Sequence, residues 1–138
     1  MNPRSFVSAW LAASVVTLLL ALLWHTVLME SFYATQSAAV AREQPDEIFI
    51  VLGYVVLGLL MAIIYPTGYK GGPALQEGFR FGALMGLLWI LPWSLVITGI
   101  WNVPLVSVVV DSAWHVIEEG LGGIALAMVY KKTSAAAD

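Results

Sequence analysis

Four long apolar runs occupy most of the chain: residues 6–29, 48–65, 78–100 and 104–130. A membrane crossing needs about 20 predominantly apolar residues. Lipid offers no water to backbone polar groups, so a segment that enters it must be α-helical. The runs therefore predict an all-α fold, an integral membrane four-helix bundle with spans at those residues. Composition agrees: 60% of the 138 residues are hydrophobic and 11% are charged, where soluble domains carry about a quarter charged residues. The chain reads as a single transmembrane domain over residues 1–132, with an Ala-rich disordered tail at 133–138. No cysteine is present, which excludes disulfides, thiolate zinc sites and iron–sulfur clusters. A net charge of −3 with no basic patch gives no reason to expect nucleic acid as a partner.

Arg4 precedes the first run and Ala39-Val40-Ala41 follows it, as in a cleaved signal. The run is longer than the about 7–15 apolar residues of a signal sequence, and Ala39 lies well beyond its end. It reads as a retained helix. Arg4, Lys70, Arg80, Lys131 and Lys132 fall on one side of the predicted membrane, and Arg42 on the other. The positive-inside rule then places both termini in the cytoplasm of a bacterial cell, N-in and C-in across the inner membrane. Residues 30–47 lie outside and are expected to form a short interfacial helix carrying Phe32 and Tyr33.

The third run opens with Gly78, Gly82 and Gly86, one every four residues and so on one helix face. Small residues at this spacing let a second backbone come close. Trp89 and Trp93 continue that face, and Pro92 between them is expected to kink the helix. The two indoles are candidates either for core filling or for the wall of a ligand cavity.

The fourth run carries the groups least at home in lipid: Asp111, His115, Glu118 and Glu119. At 100° per residue, Ser107, Asp111, His115, Glu118 and Gly122 fall within about 80° of arc, with Glu119 at the edge. An acid at a helix centre costs about 2.5–3.5 kcal/mol on insertion scales, so the stripe must face the protein. His25 and Trp24, near the end of the first run, lie at a depth comparable to Asp111. If these helices are neighbours, His25 and His115 look into one cavity with Asp111 between them. Trp24, Trp89, Trp93 and Trp114 are then candidate walls, and Glu30 stands at the outer lip. Imidazole and carboxylate suit transition metals, and Asp/Glu/His chains also carry protons. Axial ligation of haem or chlorin by His25 or His115 is a further option. A di-iron centre needs a Glu-x-x-His pair on each of two helices, and only one pair is present, in reverse order. The plainer readings are hydrogen bonding between helices, and pairing with a charged residue of a partner protein. No nucleophile motif, phosphate loop or nucleotide fingerprint is present, so an enzyme reading would need a metal.

The stretches LLWHTVLMESFYA (22–34) and PLVSVVVDSAWHVIEEGLGGIALA (104–127) resemble an uncharacterised family of small four-span bacterial membrane proteins. In that family a Trp-aromatic-x-x-Leu pattern ends the first helix, and an Asp precedes an aromatic–His pair on the last. The matching positions are Trp24, Asp111, Trp114 and His115; His25 and Glu118-Glu119 lie outside the pattern. The resemblance implies a four-helix bundle and supplies no activity. Two functions follow: an outward-opening intramembrane site for a metal ion, a proton or a small ligand, or an accessory subunit of a larger respiratory or photosynthetic membrane complex. In either, the partner common to both is the lipid bilayer; a homo-oligomer is a further option.

Overall fold

Glycine sets the closest contact in the molecule. In the computed structural model, which describes residues 3–134, the chain forms α1 (Pro3–Leu23), α2 (Glu30–Gln36), α3 (Glu47–Gly68), α4 (Ala74–Thr98) and α5 (Leu105–Ser134). A single π-helical turn, Trp24–Leu28, extends α1. α4 and α5 lie antiparallel with almost nothing between their backbones. A Cβ at Gly78 would stand 2.7 Å from Ile124 Cα, and one at Gly82 would run into the Glu119 carbonyl. One at Gly86 would meet the His115 carbonyl. The reciprocal residue on α5 is Gly123, whose Cβ would lie 2.9 Å from Gly82 Cα. The packing face read from the glycines is thus the α4–α5 contact. α5 packs on its other side against α1, where Gly122 meets Thr17. α3 packs on α1, where Gly58 meets Ser14 and the Trp10 indole donates to the Val55 carbonyl at 2.8 Å. The helix order across the molecule is α4, α5, α1, α3, with α5 covered on both flanks and little contact between α3 and α4.

The core follows from this order. Ala9, Ala13, Leu57, Met61, Ala62, Tyr65, Leu126 and Ala127 are buried together. Half of these are alanines, which let the backbones come close. Large apolar residues face outward along every long helix, among them Leu11, Val15 and Leu19 on α1, Leu84 and Leu88 on α4, and Ile117 and Met128 on α5. Such a surface suits lipid, not water.

Among the described residues, three helices are long and apolar enough to cross a membrane: Pro3–Leu28, Glu47–Gly68 and Ala74–Thr98. These match three of the four expected spans. The fourth long helix, α5, has the length, but Asp111, His115, Glu118 and Glu119 lower its apolarity. α4 runs unbroken through Pro92. Pro66 sits in the last turn of α3, where it leaves the Ala62 carbonyl without its helical amide donor shortly before the helix ends. α3 starts at Asp46, whose side chain accepts a bond from the Ile48 amide at 3.2 Å. Gly71, at φ +80°, supplies the left-handed turn before α4. α5 continues through Ser134, two residues into the expected tail, and 135–138 lie outside the described residues.

Candidate functional site

Three side chains of α5 meet in its buried middle. His115 Nδ1 stands 3.1 Å from both carboxylate oxygens of Glu119, one turn on. It also stands 3.8 Å from Glu118 Oε1. Both glutamates are fully buried, and His115 is 4% exposed. One donor atom from each of the three residues falls within 4.8 Å of the others. Glu118 Oε2 accepts from the Trp114 indole N–H, while Glu118 Oε1 is buried with no hydrogen-bond partner.

The flanking helices explain how two adjacent glutamates are both buried. Side chains at successive positions on a helix point about 100° apart. Glu119 turns toward α4, where its Oε2 would lie 2.9 Å from a Cβ at Gly86. Glu118 turns the other way, toward the Tyr54 phenol of α3, which is close enough to interact with it. A residue at the edge of the 80° stripe is therefore as well covered as one at its centre. Ser107 and Ser112 are also buried on α5, and their hydroxyls have no hydrogen-bond partner.

A second polar group stands nearer the end of the molecule away from the termini. α2 folds back so that the Tyr33 hydroxyl donates to Asp111 Oδ1 and accepts from the Trp24 indole N–H at 3.0 Å. Burial, and then the bond to Asp111, raise the Tyr33 pKa above its ordinary value, so the phenol remains a proton donor. The Trp24 and Trp114 rings stack with centroids 4.2 Å apart and planes within 4°. The stack links the two groups: Trp24 bonds to Tyr33, and Trp114 bonds to Glu118. His25 lies 4.6 Å from Tyr33, ring centroid to centroid, and within electrostatic reach of Asp111 and His115. The π-helical turn at Trp24–Leu28, closed by the Met29 amide on the Trp24 carbonyl at 2.8 Å, holds Trp24 and His25 in place. π-bulges of this kind are frequent at functional sites.

Of the residues expected from sequence, His115, Glu118 and Glu119 come together, and His25, Trp24, Asp111 and Trp114 stand around them. Trp89 and Trp93 are exposed, at 39% and 60%, and Glu30 is exposed at the start of α2. Trp24 and Trp114 face each other across van der Waals distance, so no ligand space lies between them. Tyr33 and Tyr54 were not identified from sequence as site residues. The i,i+4 spacing of Trp114 and Glu118 is a signal that was available; nothing local announces Tyr33 or Tyr54.

The sequence profile of a family described as a predicted membrane protein, DUF2177, matches residues 6–128. The chain belongs to this family. No curated protein and no solved structure matches it. The DUF2177 profile covers the π-helical turn, α2 and all of the α5 cluster, so the family's shared region contains the whole site. It carries no activity with it.

Proposed function

We propose that the protein crosses the bacterial inner membrane four times, both termini cytoplasmic, and binds a divalent transition-metal ion at His115, Glu118 and Glu119. The observation that carries this is the orphaned Glu118 Oε1, buried beside an imidazole and a second carboxylate. With both carboxylates ionised and the imidazole neutral, the cluster holds two negative charges inside an apolar bundle. One divalent cation cancels them, and the neutral assembly is one that lipid tolerates. Geometry agrees. Metal–nitrogen and metal–oxygen bonds are about 2.0–2.2 Å, which sets donors on one ion roughly 3–3.5 Å apart. His115 Nδ1 lies 3.1 Å from Glu119 and 3.8 Å from Glu118. Small side-chain rotations would bring the set onto one ion.

Asp111, Tyr33 and His25 form the approach from the outer face on this reading, and the exposed Glu30 stands at its lip. The proton-relay alternative uses the same groups. The test separates them. The full chain is purified in mild detergent and titrated with Mn²⁺, Fe²⁺ and Zn²⁺, with metal content measured by elemental analysis. Binding at a stoichiometry near one, lost in both His115→Ala and Glu118→Gln, is the expected result. Acid weakens it, because bound protons must leave first. A wild-type protein that takes up none of these ions overturns the metal reading, as does uptake unchanged in both variants.

A further inference from the structure

A second polar cleft lies at the end of the bundle that carries both termini. It sits between the last turn of α3 and the first turns of α4, and it holds about 330 Å³. Small-molecule sites are typically about 300–1,000 Å³. Tyr65, Tyr69, Lys70, Glu77, Arg80 and Leu84 line it. Tyr65 is 2% exposed, in ring contact with Tyr69, Phe81 and Tyr130, yet its hydroxyl has no hydrogen-bond partner. Glu77 Oε2 is likewise buried and without a partner, and it lies close enough to Tyr65 for its charge to be felt there. A buried polar atom left unpaired costs about 1–3 kcal/mol, more for a charged group. A carboxylate oxygen and a phenol oxygen in one cleft can both accept from a group that brings several N–H donors and a positive charge.

The rest of the lining specifies what that group is attached to. Lys70 and Arg80 are both exposed at the rim and present cations beside the acceptor pair. The ligand thus has an ammonium for Glu77 and Tyr65 and an anion for Lys70 and Arg80. Depth supplies the remaining element. Two apolar helices end and begin here, at Gly68 and Ala74, so the cleft lies at headgroup level. Leu84, exposed one turn beyond Arg80, continues it along the apolar wall. α3 and α4 scarcely touch elsewhere, so the cleft is open to lipid from the side. We infer that this is a binding site for a zwitterionic phospholipid bearing a primary amine, a phosphatidylethanolamine: ammonium on Glu77 and Tyr65, phosphate on Lys70 and Arg80, acyl chain along Leu84. The site is independent of the α5 cluster and survives if that cluster binds nothing.

The test is native mass spectrometry of the full chain in detergent. Phosphatidylethanolamine, phosphatidylcholine and phosphatidylglycerol with identical acyl chains are titrated separately. Choline has no N–H to donate, and glycerol has no positive charge. Phosphatidylethanolamine is expected to bind on the order of tenfold more tightly than either, from one charge-assisted hydrogen bond. Glu77→Gln removes the preference over phosphatidylglycerol, and Arg80→Gln weakens both lipids while keeping it. Tyr65→Phe, which deletes one oxygen from an otherwise unchanged ring, carries the test if Glu77→Gln fails to fold, and it lowers the preference. Equal binding of the three lipids overturns the inference, as does a preference that survives undiminished in Glu77→Gln and Tyr65→Phe. So does the absence of retained lipid, which would mean that Lys70 or Arg80 itself swings in to satisfy Glu77.

Discussion

The α4–α5 contact can be tested by adding one methyl group. Gly82→Ala places a Cβ on the Glu119 carbonyl and 3.0 Å from Gly120 Cα. Ordinary van der Waals contact between heavy atoms begins at about 3.5 Å, and both opposing atoms are backbone, so no rotamer change relieves the clash. The helices must separate. Overpacking of this kind costs about 1–3 kcal/mol. Alanine returns up to about 1 kcal/mol through its better helix propensity, so the net loss is roughly 0–2 kcal/mol. Gly53→Ala calibrates the propensity term, because a Cβ there meets nothing within 4 Å. That variant should gain about 0.5–1 kcal/mol. The informative quantity is the difference between the two substitutions, about 1–3 kcal/mol in favour of Gly53→Ala. Reversible unfolding in mixed micelles, followed by circular dichroism, measures it. Gly82→Ala equal to or more stable than Gly53→Ala would refute the claim that α4 and α5 touch backbone to backbone. The same separation draws α4 from Glu119, so on the proposed metal reading uptake in Gly82→Ala should also fall.

Tyr33→Phe removes the hydroxyl that joins Trp24 to Asp111. Hydrogen bonds to charged groups contribute about 1.5–3 kcal/mol, so α2 amides should exchange roughly ten- to a hundredfold faster. Hydrogen exchange by mass spectrometry over residues 30–36 reads this, and an unchanged rate would mean that α2 is held by other contacts. On the proposed four-span topology, α5 depends on its neighbours to enter the bilayer. Two buried glutamates cost about 5–7 kcal/mol at insertion-scale values. Fused alone to a glycosylation reporter, α5 should insert poorly, and Glu118→Leu with Glu119→Leu should restore insertion. Efficient insertion of unaltered α5 alone would contradict that dependence.

The elements were legible because hydrophobic runs of this length leave the backbone one option. With the π-helical turn counted in α1, each of the four long helices lies within about four residues of its expected bounds. Shifts of this size occur at the start of α4 and at the C-terminal end of α5, where Lys131 and Lys132 close the apolar run but do not end the helix. Asp111, His115 and Glu118 were legible as an inward stripe because ionisable groups are costly against lipid. Glu119, at the edge of the stripe, is as well buried as Glu118 at its centre, because a wheel describes one helix and cannot show that α5 is covered on two sides. Trp89 and Trp93 illustrate the opposite limit. Between membrane helices lipid is as apolar as a core, so an indole gains little from choosing one over the other. Sequence therefore carries no strong signal of its direction. Tyr33 and Tyr54 depend on how α2 folds back and how α3 leans on α1, which are tertiary facts with no local pattern.

The position of α5 and its composition explain each other. It is the long helix that falls short of the apolarity of the other three, and it is also the most closely packed, between α4 on one side and α1 on the other. A helix that bears three carboxylates and an imidazole is stable in a bilayer only where protein replaces lipid around most of its circumference. Gly78, Gly82 and Gly86 supply that cover from α4, and Ala13, Thr17 and Ala21 of α1 supply it from the opposite side. The cover is bought with small residues, which contribute little burial of their own. A chain under selection for stability alone would place leucines at Glu118 and Glu119 and let the helices stand further apart. The costly arrangement persists at the one depth where His115, Glu118 and Glu119 converge, and Trp24, Tyr33 and Trp114 tie that convergence to the end of the bundle beyond Asp111. On the metal reading proposed above, cover that close around groups that expensive is what keeps the ion site out of contact with lipid.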